Sequence, residues 1–585
     1  MRQDSEFDQQ GRLTSRRYGD VYFSGDGVQE TEHVFVNGND LQARLPAIDG
    51  TFVIGETGFG TGLNFLIAME LFVRIAPDHA RLIFITTELH PLPTATMAAA
   101  HGQLPERLQT AAKELRAALG AAPPRGAQRL TFCGGRVVLH VLHGDATASL
   151  SQTCFRADAW FLDGFSPARN PAMWSFALLR EVAMHTAADG TVATYTVAGE
   201  VRRGLRDAGF AVDKARGFAR KREMLRGLRR PFDEPDHPPR FASKHRPAPR
   251  HVQVFGAGIA GATAASAFAK RGATVTVTDP GGVASGASGI RAAIVRPRLW
   301  RSANRTPDAE MLAQAFRYTS DWLRGNRRFR QCGALLCATD RQDAERIEQQ
   351  AVNPATSDLT SWLTASEASQ RAGLGVPHGA AWIPTAGTCD LAGLTRDLLE
   401  HPGITVNTKP SAEQIDLTIW ATANTNSNDQ VQRVRGQAIA VQWPDSHTPP
   451  KTVLCTSGYL SPPRADGITW LGSTFDRGDD GRDHRQSDDS RILGHFAALP
   501  ELAHVLANTA TTDRFAGVRN ASANRLPMIG LGSRDLEGPA LSSVAHGSRG
   551  AVTAPWAADI LARLALGEPI PLSLDYWQRL RPSRP

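Results

Sequence analysis

Two glycine-rich turns, far apart in the chain and built on different spacings, constrain this sequence most. The first is Phe52-Val-Ile-Gly-Glu56-Thr-Gly58-Phe-Gly60-Thr-Gly62-Leu-Asn64, with glycines at alternate positions behind an acid. The second is Val252-Gln-Val-Phe-Gly256-Ala-Gly258-Ile-Ala-Gly261, whose third glycine comes one position later. Each follows a short apolar run and precedes a helical pattern. Glycine there lets the backbone turn tightly and approach a ligand closely. Each turn therefore predicts the opening crossover of its own ligand-binding α/β unit, and the unequal spacing argues against simple duplication. A chain of 585 residues also exceeds what one hydrophobic core usually supports.

Between the two turns lies Pro231–Arg250, a stretch with six prolines and interspersed charges that can continue neither a helix nor a central strand. It predicts a first domain at 1–230, a linker at 231–250 and a second domain at 251–585. In the first, the apolar runs Phe52–Ile54, Leu82–Thr86, Val137–Leu142, Trp160–Leu162 and Thr191–Tyr195 alternate with helical stretches, as in a mainly parallel sheet. The second opens with His251–Phe255 and becomes richer in short strands and turns, an α/β region followed by an α+β one. Hydrophobic residues at 42% and charged residues at 21% describe a globular chain. Met1–Arg12 is polar and has no signal-peptide apolar core, and no apolar run approaches the ~20 residues needed to cross a bilayer. The six cysteines form no CxxC pair, so no metal site is expected. A cytoplasmic protein without an obligatory protein partner is the expectation.

The acid at Glu56 separates the first turn from a phosphate-binding one. A pyrophosphate is held by backbone N–H groups at a helix N-terminus. S-adenosylmethionine carries positive charge instead, and a carboxylate beside the loop suits it. Gly58, Gly60, Gly62 and Asn64 complete the loop expected of a class I, Rossmann-like methyltransferase. Glu88 ends a strand where a ribose-binding acid belongs, Asp145 follows the next strand near an adenine edge, and Asp163 follows Ala159–Leu162. All four acids can face one crevice, although any one of them could instead cap a helix.

The second turn has the G-x-G-x-x-G spacing of a dinucleotide site, with Asp279 ending the next strand 18 residues beyond Gly261. FAD is favoured over NAD by two features. Ser285 and Ser288 lie in a small, polar, glycine-rich segment able to wrap a second phosphate. Gly547-Ser548-Arg549-Gly550 precedes a helical stretch at Trp556–Leu566, and a helix N-terminus suits a flavin ring that gains negative charge on reduction.

Several segments then carry a family resemblance. They are Asp20-Val-Tyr-Phe-Ser24, Gly38-Asn-Asp-Leu41, the Glu56–Asn64 loop and Asp163-Gly-Phe-Ser-Pro-Ala-Arg-Asn-Pro in the first half. In the second half they are Gly436-Gln437, Gly458-Tyr-Leu-Ser-Pro462, Arg525-Leu-Pro-Met-Ile-Gly530 and Gly547-Ser-Arg-Gly550. Together they resemble the bacterial bifunctional tRNA 5-methylaminomethyl-2-thiouridine biosynthesis family, MnmC, over nearly the whole chain. The resemblance implies a methyltransferase fused to a glycine-oxidase-like FAD domain. It implies that the FAD domain removes the carboxymethyl group from a carboxymethylaminomethyl wobble uridine as glyoxylate, and that the N-terminal domain then methylates the exposed amine. Asp163 is the candidate that orients this amine and accepts its proton. Arg519 is similar in position to the substrate arginine of glycine oxidases, where a guanidinium fork takes a carboxylate. Tyr459 is expected in the same pocket.

The net charge of +7 favours a polyanionic partner, here tRNA at its anticodon. Arg216, Arg220, Lys221, Arg222, Arg226, Arg229 and Arg230 form one basic cluster. Arg291, Arg296, Arg298, Arg301 and Arg305, with Trp300, form another, which could equally clamp the phosphates of FAD. The chain departs from the family pattern at Ile290, Arg296 and Asn520–Asn524. Two other readings stay open: a tRNA methyltransferase with an inactive flavin domain, and a fusion that acts on small-molecule amines.

Overall fold

Alternate residues of Thr51–Thr57 face opposite ways, as a strand requires. Phe52 and Ile54 join one apolar cluster with Phe84, Leu139 and Phe161. Val53 joins another with Ile83, Val138 and Trp160. A sheet buried on both faces follows. The computed structural model describes residues 5–22, 26–120, 126–153, 155–219, 221–230, 249–300, 307–353, 355–410, 414–422, 431–531, 540–568, 570, 572 and 574–582. The chain divides into two compact units, residues 1–245 with 567–574, and residues 246–566 with 575–585. The proline-rich stretch lies outside the described residues over 231–248, as do Phe23, Ser24, Arg220, Arg301 and Arg305.

The first unit is built on eight strands: β1 (Thr51–Thr57), β2 (Arg81–Glu88), β3 (Gly126–Phe132), β4 (Val137–His143), β5 (Ala157–Leu162), β6 (Thr186–Thr194), β7 (Phe210–Arg216) and β8 (Glu223–Arg229). Their order across the sheet is β7-β8-β6-β5-β1-β2-β4-β3. The five central strands are parallel, while β3, β7 and β8 run antiparallel to their neighbours. Helix α1 (Leu63–Ile75) follows the first glycine loop and buries most of its length, including Phe65 and Phe72, against the sheet. Three short strands, Ser5–Phe7, Leu13–Ser15 and Asp20–Val21, form a small separate sheet.

The second unit holds two larger sheets. Strands β9 (His251–Phe255), β10 (Thr274–Thr278), β11 (Ile404–Asn407) and β12 (Leu417–Trp420) belong to the first of them. Strands β13 (Val431–Gln442), β14 (Ile468–Gly472) and β15 (Thr511–Ser522) belong to the second. The last two, β16 (Met528–Leu531) and β17 (Ala540–Val544), return to the first. The first sheet has the order β11-β10-β9-β12-β17-β16, parallel except for β16. Helix α2 (Ile259–Ala269) leaves β9 through the second glycine loop, and α3 (Gly550–Leu566) packs beside it. In the second sheet β13 pairs antiparallel with β14, β15 and the short strand Asp476–Arg477.

Helix α3 starts earlier than the sequence suggested. The stretch before Trp556 reads as a glycine- and proline-broken loop, yet the helix begins at Gly550 and runs through Pro555. A proline removes one helix hydrogen bond. Threonine hydroxyls add bonds to neighbouring carbonyls of this turn: Thr319 Oγ1 donates to the Val552 carbonyl at 2.5 Å and Thr553 Oγ1 to the Arg549 carbonyl at 3.0 Å.

Beneath β13 lies a buried ionic network. Arg435 is wholly buried; it donates to Asp488 at 2.5 Å, to Gln437 at 3.0 Å and to the Asp483 carbonyl at 2.6 Å. Gln437 in turn donates to Asp489 at 2.8 Å, which also accepts from Arg514 at 2.8 Å. Removing one partner of such a pair strands a buried charge and costs about 3–5 kcal/mol. Arg491 also pairs with Asp488, at 2.9 Å, so Arg435→Met leaves that carboxylate one partner and is expected to lower the urea stability of the flavin unit by about 1–3 kcal/mol. A loss under about 1 kcal/mol would show that the network is relaxed by water.

Two candidate active sites

In the first unit the strand order reverses beside β1, which opens a crevice beyond the carboxyl ends of the strands. Glu56 lies at the end of β1, Glu88 ends β2, Asp163 follows β5 and Asp145 follows β4. Glu56 is only 1% exposed; it accepts hydrogen bonds from Thr86 Oγ1 at 2.6 Å and from Asn64 Nδ2 at 2.9 Å. The same Asn64 amide donates to Asp163 Oδ2 at 2.8 Å, while its carbonyl accepts from Thr31 Oγ1 at 2.8 Å. One asparagine near the start of α1 thus ties a buried and a half-buried carboxyl side by side. Glu88 braces the loop by accepting from the Gly60 amide at 2.9 Å, and the Gly58 amide donates to the Thr87 carbonyl at 3.1 Å. Gly62 caps α1.

Burial raises Glu56 well above the usual carboxylate range, and neighbouring Asp163 adds to the rise. Burial likewise pushes Asp163 up to about 6, against the pull of the Gly164 amide and Asn64. Among the described residues, Glu56, Glu88 and Asp163 form no ion pair. Desolvated acids without cations are costly, so a cationic ligand such as S-adenosylmethionine fits this donor set. Asp145 stands apart from the hydrogen-bonded group. It is exposed and caps the helix Ala146–Ser151, accepting from the Ala148 amide at 2.9 Å.

In the second unit the Gly256 amide donates to the Thr278 carbonyl at 2.8 Å, and Gly258 caps α2. Gly261 sits so close to β9 that a Cβ there would lie 1.8 Å from the Gly256 carbonyl oxygen. Ser288 Oγ accepts from the Ile259 amide at 2.9 Å. Asp279 braces the loop by accepting from the Ala257 and Gly281 amides at 2.8 and 2.9 Å. Ser285 is exposed in the turn beyond it.

The 3-10 turn Gly547–Arg549 leads into α3, with Ser548 exposed. His546 contacts Ser543 Oγ at 3.0 Å and Thr553 Oγ1 at 2.8 Å, and burial pushes its pKa down to about 4, so the ring is neutral. Arg549 donates to the Arg525 carbonyl at 2.8 Å. Burial, reinforced by the charges of Arg298, Arg525 and Arg296, pushes its pKa down to about 10. The second basic cluster therefore divides. Arg296 and Arg298 meet Arg525 and Arg549 at the start of α3, while Arg291 is exposed. Crowded guanidiniums at a helix N-terminus, with two glycine-turned crossovers, are a donor set that fits the phosphates and electron-accepting ring of FAD.

Arg519 and Tyr459 come together on the second sheet. The Arg519 guanidinium donates to the Thr474 carbonyl at 3.1 Å and lies across Gly436, where a Cβ would stand 1.4 Å from its Nη2. Only glycine leaves room for this arginine at that position. Burial lowers the pKa of Arg519, opposed by Tyr459 and Asp476. Burial pushes the Tyr459 hydroxyl up to about 12, with Arg519 opposing. Among the described residues Arg519 forms no ion pair. A desolvated cation with no ion-paired acid is suited to receive a carboxylate.

Residues 106–230 match the family model described as S-adenosyl-L-methionine-dependent methyltransferase, a span that begins after the glycine loop. Residues 251–406 and 402–564 match that of FAD dependent oxidoreductases. The tRNA 5-methylaminomethyl-2-thiouridine biosynthesis bifunctional protein MnmC of Ectopseudomonas mendocina is 36% identical, with 99% of this chain and 96% of that protein covered. The chain belongs to the MnmC family. The same-named protein of Chromobacterium violaceum is 34% identical over 98% of this chain and 96% of its own. An iminodiacetate oxidase crystal structure from Chelativorans sp. BNC1 is 24% identical, covers 57% of this chain and 98% of its own, and gives a TM-score of 0.47. The two units thus carry a methyltransferase and a flavin oxidoreductase, with S-adenosylmethionine and FAD as their cofactors.

Several residues at the MnmC sites were not singled out in the sequence. Tyr195 donates to the Gly164 carbonyl at 2.7 Å, and burial raises its hydroxyl above the usual range. Lys221, already named in the first basic cluster, lies 4.1 Å from the centre of the Tyr195 ring and pairs with Glu30 at 2.8 Å. Phe165, two residues after Asp163, packs against Tyr18 and Tyr22 with centroids 4.8 and 5.2 Å apart. The aromatic residues inside the Asp20–Ser24 and Asp163-Gly-Phe motifs were the available signal. The first basic cluster also needs correction. Arg216, Lys221, Arg222, Arg226 and Arg230 are exposed, but Arg229 is buried and donates to the Ala208 and Gly209 carbonyls at 3.0 and 2.9 Å. It supports a turn and is not offered to a partner. Among the described residues no helix is long and apolar enough to cross a membrane, and no group of side chains is placed to hold a metal.

Proposed function

We propose that this chain modifies the wobble uridine of tRNA in the cytoplasm, converting a carboxymethylaminomethyl group to methylaminomethyl in two steps. Residues 251–585 carry out the oxidation, and residues 1–230 then transfer the methyl group. The observation that supports it most is the pairing of two opposite charge sites in one chain. One holds desolvated acids that form no ion pair among the described residues, and the other a desolvated arginine that forms none.

Bound FAD supplies the two-electron acceptor, and bound S-adenosylmethionine the methyl group. Arg519 holds the substrate carboxylate, which fixes the adjacent CH₂–NH bond in the pocket walled by Tyr459. Loss of a hydride and a proton across that bond leaves an imine, and water releases glyoxylate and a primary amine. Arg549, at the start of α3, would hold the cofactor there, and its charge would favour the acceptance of electrons. In the first unit the amine must be neutral to attack, because an ammonium has no lone pair. Asp163, with a pKa of about 6, is ionised at neutral pH yet basic enough to take the proton. Exposed Arg216, Arg222 and Arg226 are suited to backbone phosphates.

Mass spectrometry of nucleosides tests this, using purified protein and tRNA that bears the carboxymethylaminomethyl base. Aminomethyl product without S-adenosylmethionine and methylaminomethyl product with it are expected. Methylation of pre-formed aminomethyl tRNA alongside an untouched carboxymethylaminomethyl base would leave only the transferase. No change in either would overturn the tRNA reading.

A further inference from the structure

One large aromatic beside the oxidase pocket is left uncovered. Phe475 is 44% exposed, yet it does not stand on a loose loop. On its N-terminal side, Thr474 is bonded to Gln437 of β13 twice, through its amide at 3.2 Å and its hydroxyl at 2.9 Å. On its C-terminal side, Asp476 and Arg477 pair with Arg435 and Val434 of the same strand. The carbonyl of Thr474 is also the one that holds Arg519. Two guanidiniums flank the ring, Arg519 at 5.6 Å and exposed Arg477 at 6.0 Å from its centre. Burying such a ring yields roughly 1.5–3 kcal/mol, so a fixed backbone that presents it to solvent forgoes that stabilisation.

A modified pyrimidine in a single-stranded loop offers three groups to a protein: a π-face, a phosphate, and here a carboxylate at the end of its 5-substituent. The substituent spans four bonds from the ring, about 5 Å when extended, given bond lengths of about 1.5 Å. We propose that Phe475 is the stacking platform for the target base, with Arg477 on the adjoining phosphate and Arg519 on the carboxylate. The platform makes the pocket selective for a nucleotide-borne amine over a free one. This inference rests on the tRNA reading of the oxidase.

The test is stopped-flow flavin reduction by the full-length, FAD-loaded protein, with an anticodon stem-loop RNA bearing carboxymethylaminomethyluridine. Phe475→Ala is expected to raise KM about 10–100-fold, the loss of one base–aromatic stack, with kcat little changed. Phe475→Trp is expected to restore KM. Phe475→Leu, which keeps apolar bulk and removes the π-face, is expected to behave like the alanine variant at unchanged flavin content. Arg477→Ala is expected to reduce the salt dependence of binding by about one phosphate contact. Methylation of pre-formed aminomethyl tRNA should keep its wild-type KM in all four variants. A wild-type KM in Phe475→Ala, or full activity in Phe475→Leu, would overturn the platform alone. Failure of the wild-type protein to oxidise the stem-loop would overturn the oxidase reading with it.

Discussion

Asp163→Asn is expected to lower the methyl-transfer rate by about 10²–10⁴-fold, the usual contribution of a positioned general base, while flavin reduction is unchanged. The wild-type rate should rise with pH through about 6, where Asp163 ionises, and the variant should lose that limb. The same substitution is expected to stabilise the ligand-free protein at alkaline pH. Asp163 moves from an ordinary value of 3.8 to about 6 because it is buried. Its folded form therefore binds a proton more tightly than its unfolded form, and ionisation opposes folding. This penalty is absent below about pH 4, grows between 4 and 6, and is complete above 6, where it reaches about 3 kcal/mol. An asparagine of the same shape removes it. Thermal unfolding should show Asp163→Asn more stable than wild type at pH 8 and no more stable at pH 4. A variant that retained more than about a tenth of the wild-type rate would remove Asp163 from the proton-accepting role.

That trade of stability for reactivity explains which parts of this site could be read from the sequence. The loop Glu56–Asn64 and the strand ends at Glu88 and Asp163 are local patterns. An apolar run, a glycine turn and a helix announce their own geometry. A parallel sheet then carries the carboxyl ends of its strands to one edge whatever the intervening loops contain. The bridging role of Asn64 is different, because it depends on β1, β5 and α1 meeting in three dimensions. Asp145 shows the converse case. It has the right position after β4, but local capping of the next helix occupies one of its oxygens, and pattern alone does not distinguish the two uses.

The second unit was less legible for the same physical reason. Its dinucleotide crossover is contiguous in sequence, whereas the substrate pocket proposed for it is assembled from β13, β15 and the segment after β14. Gly436 and Arg519 are far apart in the chain, and the need for glycine appears only when the guanidinium lies across it. The arginines at the start of α3 were split between two motifs, with Arg296 and Arg298 in one basic cluster and Arg549 in a glycine loop. Their mutual repulsion belongs to the folded arrangement. Arg229 counted as surface charge because arginine usually is, yet two backbone carbonyls hold it inside.

Arg519 carries the other large expected effect. Arg519→Ala should reduce kcat/KM for flavin reduction by carboxymethylaminomethyl tRNA about 10²–10⁴-fold, because two charge-assisted bonds of about 1.5–3 kcal/mol each are lost. Arg519→Lys should recover little of this. A lysine keeps the charge but presents a single point donor, without the planar fork that takes both carboxylate oxygens and the Thr474 carbonyl together. Methylation of pre-formed aminomethyl tRNA should proceed at the wild-type rate in both variants, since that substrate has already lost the carboxylate. Adding acetate or formate offers a sharper check. If a missing carboxylate-binding cation is the whole defect, small carboxylates should inhibit the wild-type oxidase competitively and leave Arg519→Ala unaffected. Equal inhibition of both proteins would place the carboxylate elsewhere, with the guanidiniums of Arg296, Arg298 and Arg549 as the next group to replace.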